Sequence, residues 1–133
     1  MPAFADTNVV VYAFAIDDAK IAVAESILEK QPTISVQVIS EFLNVCRTKL
    51  GIDVPTRHKL ARELIEGCNV VALEPRVIEK AMQIEAQGLI SYWDALIVAA
   101  ALLSGCDTLY TEDLQRGQRF DSQLTVVNPF VLA

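Results

Sequence analysis

The sequence predicts an α/β protein, a three-layer α/β/α sandwich with a mainly parallel central sheet. Three observations predict this fold. Short apolar or β-branched segments recur along the 133 residues. Helical patterns of about 10 to 15 residues separate them, as in βαβ units. Proline and glycine stand where helices begin and end. In such a sheet, ligands bind beyond the carboxyl ends of the strands.

Strand and helix signals alternate along the first half of the chain. Asp6, Thr7 and Asn8 are good N-cap residues for a short helix. A second helix starts at Asp17-Asp18, and Ser35 caps a third that ends at Gly51. The predicted elements are a strand over 2–5, helices over 9–15 and 17–30, a strand over 32–36 and a helix over 36–50.

The second half continues the alternation. Pro55 and Pro75 each open a helix, and Ser91 caps a strongly apolar one that ends at Gly105. The predicted elements are helices over 55–67, 75–88 and 92–105, strands over 69–73 and 108–110, and an edge strand over 124–127. We expect one domain over residues 1–133, since this length suits a single core.

Composition excludes several classes of protein. Hydrophobic residues make up 53% and charged residues 21%, which excludes a disordered chain. The longest apolar run, over 95–103, is shorter than the roughly 20 residues of a membrane span, and no signal peptide is expected. Three scattered cysteines predict buried thiols in a reducing compartment, hence the cytoplasm, and the one histidine makes His-based metal chemistry improbable.

The net charge of −6 argues against tight non-specific nucleic-acid binding. A nuclease remains open, because a bound cation reverses the local sign of charge. Residues 47–62 hold five of the eleven basic residues, and we interpret them as solvated helix faces. Arg116 and Arg119 follow the last acidic turn and are the better candidates for a rim that contacts phosphates.

Four carboxylates stand where a plain structural role explains them poorly. Asp6 follows a buried strand, although an N-cap role would also account for it. Glu41 interrupts an apolar helical stripe, where the alternative is a salt bridge. Asp94 opens the most apolar helix, three residues after Ser91 as in a capping box. Asp113 follows the strand over 108–110, where turn acids are common.

The predicted fold places three of these acids at strand ends or helix starts on one edge of the sheet, and the fourth projects from a helix that flanks this edge. Converging carboxylates repel one another and raise some of their own pKa values, and a divalent cation relieves this. Mg²⁺ prefers hard oxygen ligands and takes only one or two carboxylates directly. The chemistry that fits is metal-assisted phosphodiester hydrolysis. Thr111 and Asn8 are placed to support the acids, whereas Glu112 is interpreted as a solvated turn acid.

Four stretches carry a family resemblance: Ala5-Asp6-Thr7-Asn8, Ser40-Glu41, the helix start Ser91-Tyr92-Trp93-Asp94-Ala95-Leu96, and Leu109-Tyr110-Thr111-Glu112-Asp113-Leu114. In these stretches the chain resembles the PIN-domain family. Their order and spacing agree over essentially the whole chain. One departure is Glu112, where many members carry Asn.

The resemblance implies an α/β/α metal-dependent ribonuclease. Asp6, Glu41, Asp94 and Asp113 would form the acidic Mg²⁺ or Mn²⁺ pocket, with Thr7, Asn8 and Thr111 as supporting groups. The chain is similar to small single-domain VapC-type toxins of toxin–antitoxin pairs. This implies an RNA substrate, a cognate antitoxin that inserts into the active site, and a homodimer.

Other functions stay open at this stage. They are a catalytically inactive PIN-fold module that binds a protein, and an RNA-processing PIN nuclease that is not a toxin. An aspartyl-phosphate phosphatase fits poorly, because Asn8 stands where its second acid is expected. We expect Trp93 to lie in the core or in a dimer interface, although stacking on a base is an alternative.

Overall fold

A computed structural model describes residues 2–15 and 18–131. The strands are β1 Ala3–Ala5, β2 Thr33–Ser35, β3 Asn69–Val71, β4 Thr108–Tyr110, β5 Arg119–Phe120 and β6 Leu124–Val127. The helices are α1 Thr7–Tyr12, α2 Asp18–Glu29, α3 Val36–Thr48, α4 Val54–Gly67, α5 Pro75–Ala86 and α6 Tyr92–Leu103. The predicted alternation of strands and helices is confirmed.

The strands form one sheet in the order β3-β2-β1-β4-β6-β5. All pairings are parallel except the β5–β6 pair, which is antiparallel. Right-handed crossovers place α1 to α4 on one face of the sheet and α5 and α6 on the other. The principal helix contacts fall within these two groups. The predicted α/β/α sandwich with a mainly parallel sheet is therefore confirmed.

The predicted edge position of the strand over 124–127 is wrong. β6 lies between β4 and β5, and the edge is formed by β5, which has no counterpart among the predicted strands. β5 has two residues, paired Arg119 to Thr125 and Phe120 to Leu124. A two-residue strand is too short to show a period of two.

The helix boundaries follow local capping. Asp6 caps α1, so this helix starts at Thr7 and not at the predicted residue 9. It ends at Tyr12, before the predicted residue 15. Ser35 accepts a hydrogen bond from the Val38 backbone N–H at 3.4 Å, as predicted. Gly105 adopts φ +81° after α6, a conformation that favours glycine. Asp17, predicted to begin the second helix, lies outside the described residues, and α2 is described from Asp18.

The core fills the space on both sides of the sheet. α6 is buried along nearly its whole length, which explains its uniformly apolar sequence. Phe4, Ile34 and Leu109, from three neighbouring strands, are fully buried. None of the helices in the described ranges has the length and apolar character that crossing a membrane requires.

Candidate active site

The four candidate acids line one cavity at the carboxyl edge of the sheet. Its volume is about 800 Å³, and Asp6, Glu41, Asp94 and Asp113 all contribute to its wall. Strand order reverses between β1 and β4, and the Asp6 side chain lies where these strands end. Parallel α/β sheets form ligand sites at such a switch point.

Asp6 is the most buried of the four acids. Its side chain is 6% exposed, and its backbone N–H donates to the Tyr110 carbonyl at 3.0 Å. Oδ1 accepts from the Thr7 N–H at 2.7 Å, and Oδ2 accepts from Thr111 Oγ1 at 2.8 Å. Asp6 is therefore both the cap of α1 and a residue that lines the acidic cavity.

Burial raises the pKa of Asp6 from 3.8 to about 6. The hydrogen bonds from Thr111 and Thr7 oppose this rise, whereas the negative charges of Asp113 and Glu41 add to it. The mutual repulsion expected of converging carboxylates is thus present around Asp6. A cation in the cavity would relieve both the repulsion and part of the cost of burying the charge.

Glu41 reaches the cavity from α3. Its Oε1 accepts a hydrogen bond from Thr7 Oγ1 at 2.6 Å. Its neighbours Val38 and Phe42 are fully buried, so Glu41 does break an apolar stripe. No salt bridge to Glu41 is found among the described residues, and its partner is a hydroxyl within the site.

Asp94 lies in the first turn of α6. Ser91 caps this helix, accepting from the Asp94 N–H at 3.2 Å. Burial raises the pKa of Asp94, and the charge of Asp113 raises it further, while a hydrogen bond with Ser91 lowers it. Capping and cavity location therefore coexist in this turn as well.

Asn8, Thr111 and Asp113 form one hydrogen-bonded group. Asn8 Nδ2 donates to Thr111 Oγ1 at 3.1 Å and to Asp113 Oδ2 at 3.0 Å. Thr111 Oγ1 also accepts from the Asp113 N–H at 3.1 Å. Thr111 is fully buried behind Asp6, so it orients carboxylates without lining the cavity. The three predicted supporting residues, Thr7 included, all contact predicted acids.

Glu112 differs from its predicted role as a solvated turn acid. Its carboxylate accepts a hydrogen bond from the Tyr12 hydroxyl and lies 3.4 Å from Lys20 Nζ. The Lys20 ammonium in turn stands 4.2 Å from the centre of the Tyr12 ring. The bond to Glu112 raises the pKa of Tyr12. The extra charge at this position is therefore paired within the wall of the cavity.

The predicted rim is placed differently. Arg116 and Arg119 do not line the cavity, and Arg119 Nη2 instead donates to the Ser122 carbonyl at 2.9 Å. Lys49, from the segment interpreted as solvated helix faces, does line it. Trp93 also lines it and is 65% exposed, so the predicted core position is wrong for the single chain. An exposed rim position has no periodic signal that a sequence could reveal.

The donor set suits a hard divalent cation. Carboxylate, hydroxyl and amide oxygens surround the cavity, and these are the ligands of Mg²⁺ and Mn²⁺. Within residues 2–15 and 18–131, no three His, Cys, Asp or Glu side chains are arranged to hold a metal ion by themselves.

Similar folds occur in three solved structures from bacteria. A toxin–antitoxin complex from Klebsiella pneumoniae matches with TM-score 0.70 and 21% identity over 96% of this chain and 97% of that one. VapC20 of Mycobacterium tuberculosis, a sarcin–ricin loop cleaving toxin, matches with TM-score 0.69 and 19% identity over 84% of this chain and 89% of that one. FitAcB from Neisseria gonorrhoeae matches with TM-score 0.70 and 17% identity over 98% of this chain and 99% of that one.

The sequence itself matches one family model. The comparison with curated protein sequences finds no significant match. The model of the PIN domain matches residues 3–119, which include all four cavity acids. The chain therefore belongs to the PIN domain family.

Proposed function

We propose that the chain is an Mg²⁺- or Mn²⁺-dependent endoribonuclease and the toxin of a type II toxin–antitoxin pair. The observation that carries the proposal is the convergence of four carboxylates in one cavity of a PIN domain. The charges of Glu41 and Asp113 raise the pKa of the buried Asp6. A site of this charge is poorly suited to a phosphodiester unless a cation is also bound.

The cation would be held by Asp6, Asp94 and Asp113, directly or through water. When bound, it would stabilise charge that develops on the phosphate and lower the pKa of a coordinated water. Thr111 and Asn8 keep two of these carboxylates in place through hydrogen bonds of 2.8 and 3.0 Å. Outer groups of this kind set the orientation of metal ligands.

Glu41 is assigned to the attacking water or to a second cation. Its Oε1 is fixed by Thr7 at 2.6 Å, which leaves Oε2 for a further partner. Lys49 also lines the cavity and offers a positive charge to an RNA phosphate. A single active-site cavity with one positively charged residue at its rim would suit an exposed, single-stranded segment of RNA.

The biological setting rests on the comparisons. One similar structure is a toxin–antitoxin complex and another is a toxin that cleaves the sarcin–ricin loop. We extend a protein antitoxin partner and an RNA substrate to this chain, together with a homodimer, a single domain and a cytoplasmic location. The antitoxin would insert into the acidic cavity and block it.

Cleavage of RNA by the purified protein tests the proposal. The reactions contain Mn²⁺ or Mg²⁺, with EDTA in parallel, and compare the wild type with Asp6→Asn. Glu63→Gln is the matched control, because Glu63 is an exposed acid on α4, remote from the cavity wall. Cleavage that requires metal and Asp6 but not Glu63 is expected. Equal cleavage by the wild type and by Asp6→Asn would show that the activity does not depend on Asp6 and would contradict the assignment.

Expression in cells separates a toxin from other PIN proteins. A toxin arrests growth, and Asp94→Asn abolishes the arrest. Metal-dependent cleavage without growth arrest would indicate an RNA-processing nuclease. A protein that binds no metal and cleaves no RNA, yet binds a protein partner, would be the inactive module.

A further inference from the structure

Gln37 is a buried polar residue that the assigned roles leave unexplained. It lies in the first turn of α3, lines the cavity and is 8% exposed. Its Nε2 donates to the Trp93 carbonyl at 3.3 Å. Its Oε1 is buried and has no hydrogen-bond partner. Among the described residues, Gln37 Oε1 is the only buried side-chain nitrogen or oxygen without a hydrogen-bond partner.

The hydrogen bond from Gln37 links two helices that belong to different layers. α3 packs mainly against α1 and α4, whereas α6 packs mainly against α5. The bond from Gln37 to the Trp93 carbonyl joins the first turn of α3 to the first turn of α6. Glu41 lies one helical turn after Gln37 on the same side of α3, and Asp94 directly follows Trp93. The hydrogen bond therefore connects the helix that carries Glu41 to the helix that carries Asp94.

The unpaired oxygen makes a purely structural role a poor explanation. A buried acceptor without a partner destabilises a protein, and an apolar side chain of the same shape avoids that penalty. Methionine has the length of glutamine and adapts to irregular space. Residues that break such a local rule are expected mainly at functional sites.

We propose that Gln37 is a positioning residue, which sets the separation of Glu41 and Asp94 by fixing the start of α6 against α3. The inference rests on the proposed function, since it concerns the geometry of the same metal site. The hydrogen bond of Gln37 goes to a backbone carbonyl and not to a carboxylate. It acts through the Trp93 carbonyl and the backbone of the first turn of α6.

The substitution Gln37→Met tests this role, with Gln83→Met as the matched control on the exposed face of α5. Trp93 is the one tryptophan of the sequence, so fluorescence anisotropy reports on the start of α6 alone. In metal-free protein, Gln37→Met should lower the anisotropy of Trp93. Its melting temperature should be equal to that of the wild type or higher.

Metal titration completes the test. Gln37→Met should weaken Mn²⁺ binding by about 10- to 100-fold, the usual effect of losing an outer partner of a metal site. The turnover number should fall while KM changes little, because the contacts with the substrate remain. Unchanged anisotropy, or Mn²⁺ affinity equal to that of Gln83→Met, would overturn the positioning role. A wild type that binds no Mn²⁺ would instead overturn the proposed function, and this inference with it.

Discussion

Thr7 Oγ1 donates a hydrogen bond of 2.6 Å to Glu41 Oε1, which joins the first residue of α1 to the middle of α3. The backbone N–H of the same threonine donates to Asp6 Oδ1 at 2.7 Å. One residue thus orients two of the carboxylates that line the cavity. The acidic site is built by hydrogen bonds between neighbouring elements, and each of these bonds can be removed separately.

Asp94→Asn should abolish cleavage while preserving the fold. Asparagine keeps the volume but removes the charge, so a fall in turnover of at least about 100-fold is expected for a direct or water-mediated ligand. Burial and the charge of Asp113 both raise the pKa of Asp94, so the neutral side chain relieves repulsion. The metal-free variant should melt at the same temperature as the wild type or higher. A variant that cleaves RNA like its parent would contradict the assigned role.

Thr111→Val should destabilise the protein despite its similar shape. The Thr111 hydroxyl donates to Asp6 and accepts from Asn8 and from the Asp113 N–H. Its loss leaves buried polar groups without a partner, at a cost of about 1 to 3 kcal/mol in the free energy of unfolding. Urea unfolding measures this cost. The control is Thr125→Val, on β6 away from the cavity. An equal loss of unfolding free energy in both variants would show that the hydrogen bonds of Thr111 do not stabilise the protein.

The metal-free protein should lose stability as the pH rises through the titration of Asp6. The pKa of Asp6 is about 6 in the fold, against 3.8 without its surroundings. Between these values the folded state retains a proton that the unfolded state has released. The free energy of unfolding therefore decreases with rising pH, by about 3 kcal/mol for two pKa units.

Urea unfolding of the wild type and Asp6→Asn between about pH 4 and pH 7 measures this dependence. The asparagine variant lacks the titrating group, so its stability should fall less over the same range. Saturating Mg²⁺ should reduce the decline of the wild type, because a cation favours the charged carboxylate. Parallel curves for the two proteins without metal would show that Asp6 does not titrate in this window.

Glu112→Gln should leave metal binding nearly intact, unlike Asp113→Asn. Glu112 is already paired with Tyr12 and Lys20, whereas Asp113 is held by the neutral Asn8. We expect a change in Mn²⁺ affinity below about threefold for Glu112→Gln and at least about tenfold for Asp113→Asn. Because the side chains of Lys20 and Glu112 are partly exposed, solvent screens their interaction and the loss of stability should be small. Similar losses of affinity in both variants would make Glu112 a ligand.

The sequence by itself determined the layered fold and the position of each acid along the chain. Alternating apolar strands and capped helices are local patterns, and residues such as Ser35 and Ser91 form the caps that their neighbours predict. Asp6 and Asp113 follow the neighbouring strands β1 and β4, and parallel strands end at the same edge. Convergence of the acids could therefore be predicted without a structure.

Only the tertiary structure decided which distant side chains meet. The pairing of Glu112 with Tyr12 and Lys20, and the bond from Gln37 to Trp93, join residues far apart in sequence. The same holds for β5, whose two residues form a strand only because β6 offers a partner. These contacts depend on how the layers pack, and no local propensity or period encodes such a distance. Local chemistry therefore fixed the elements, and packing between layers fixed the electrostatics of the site.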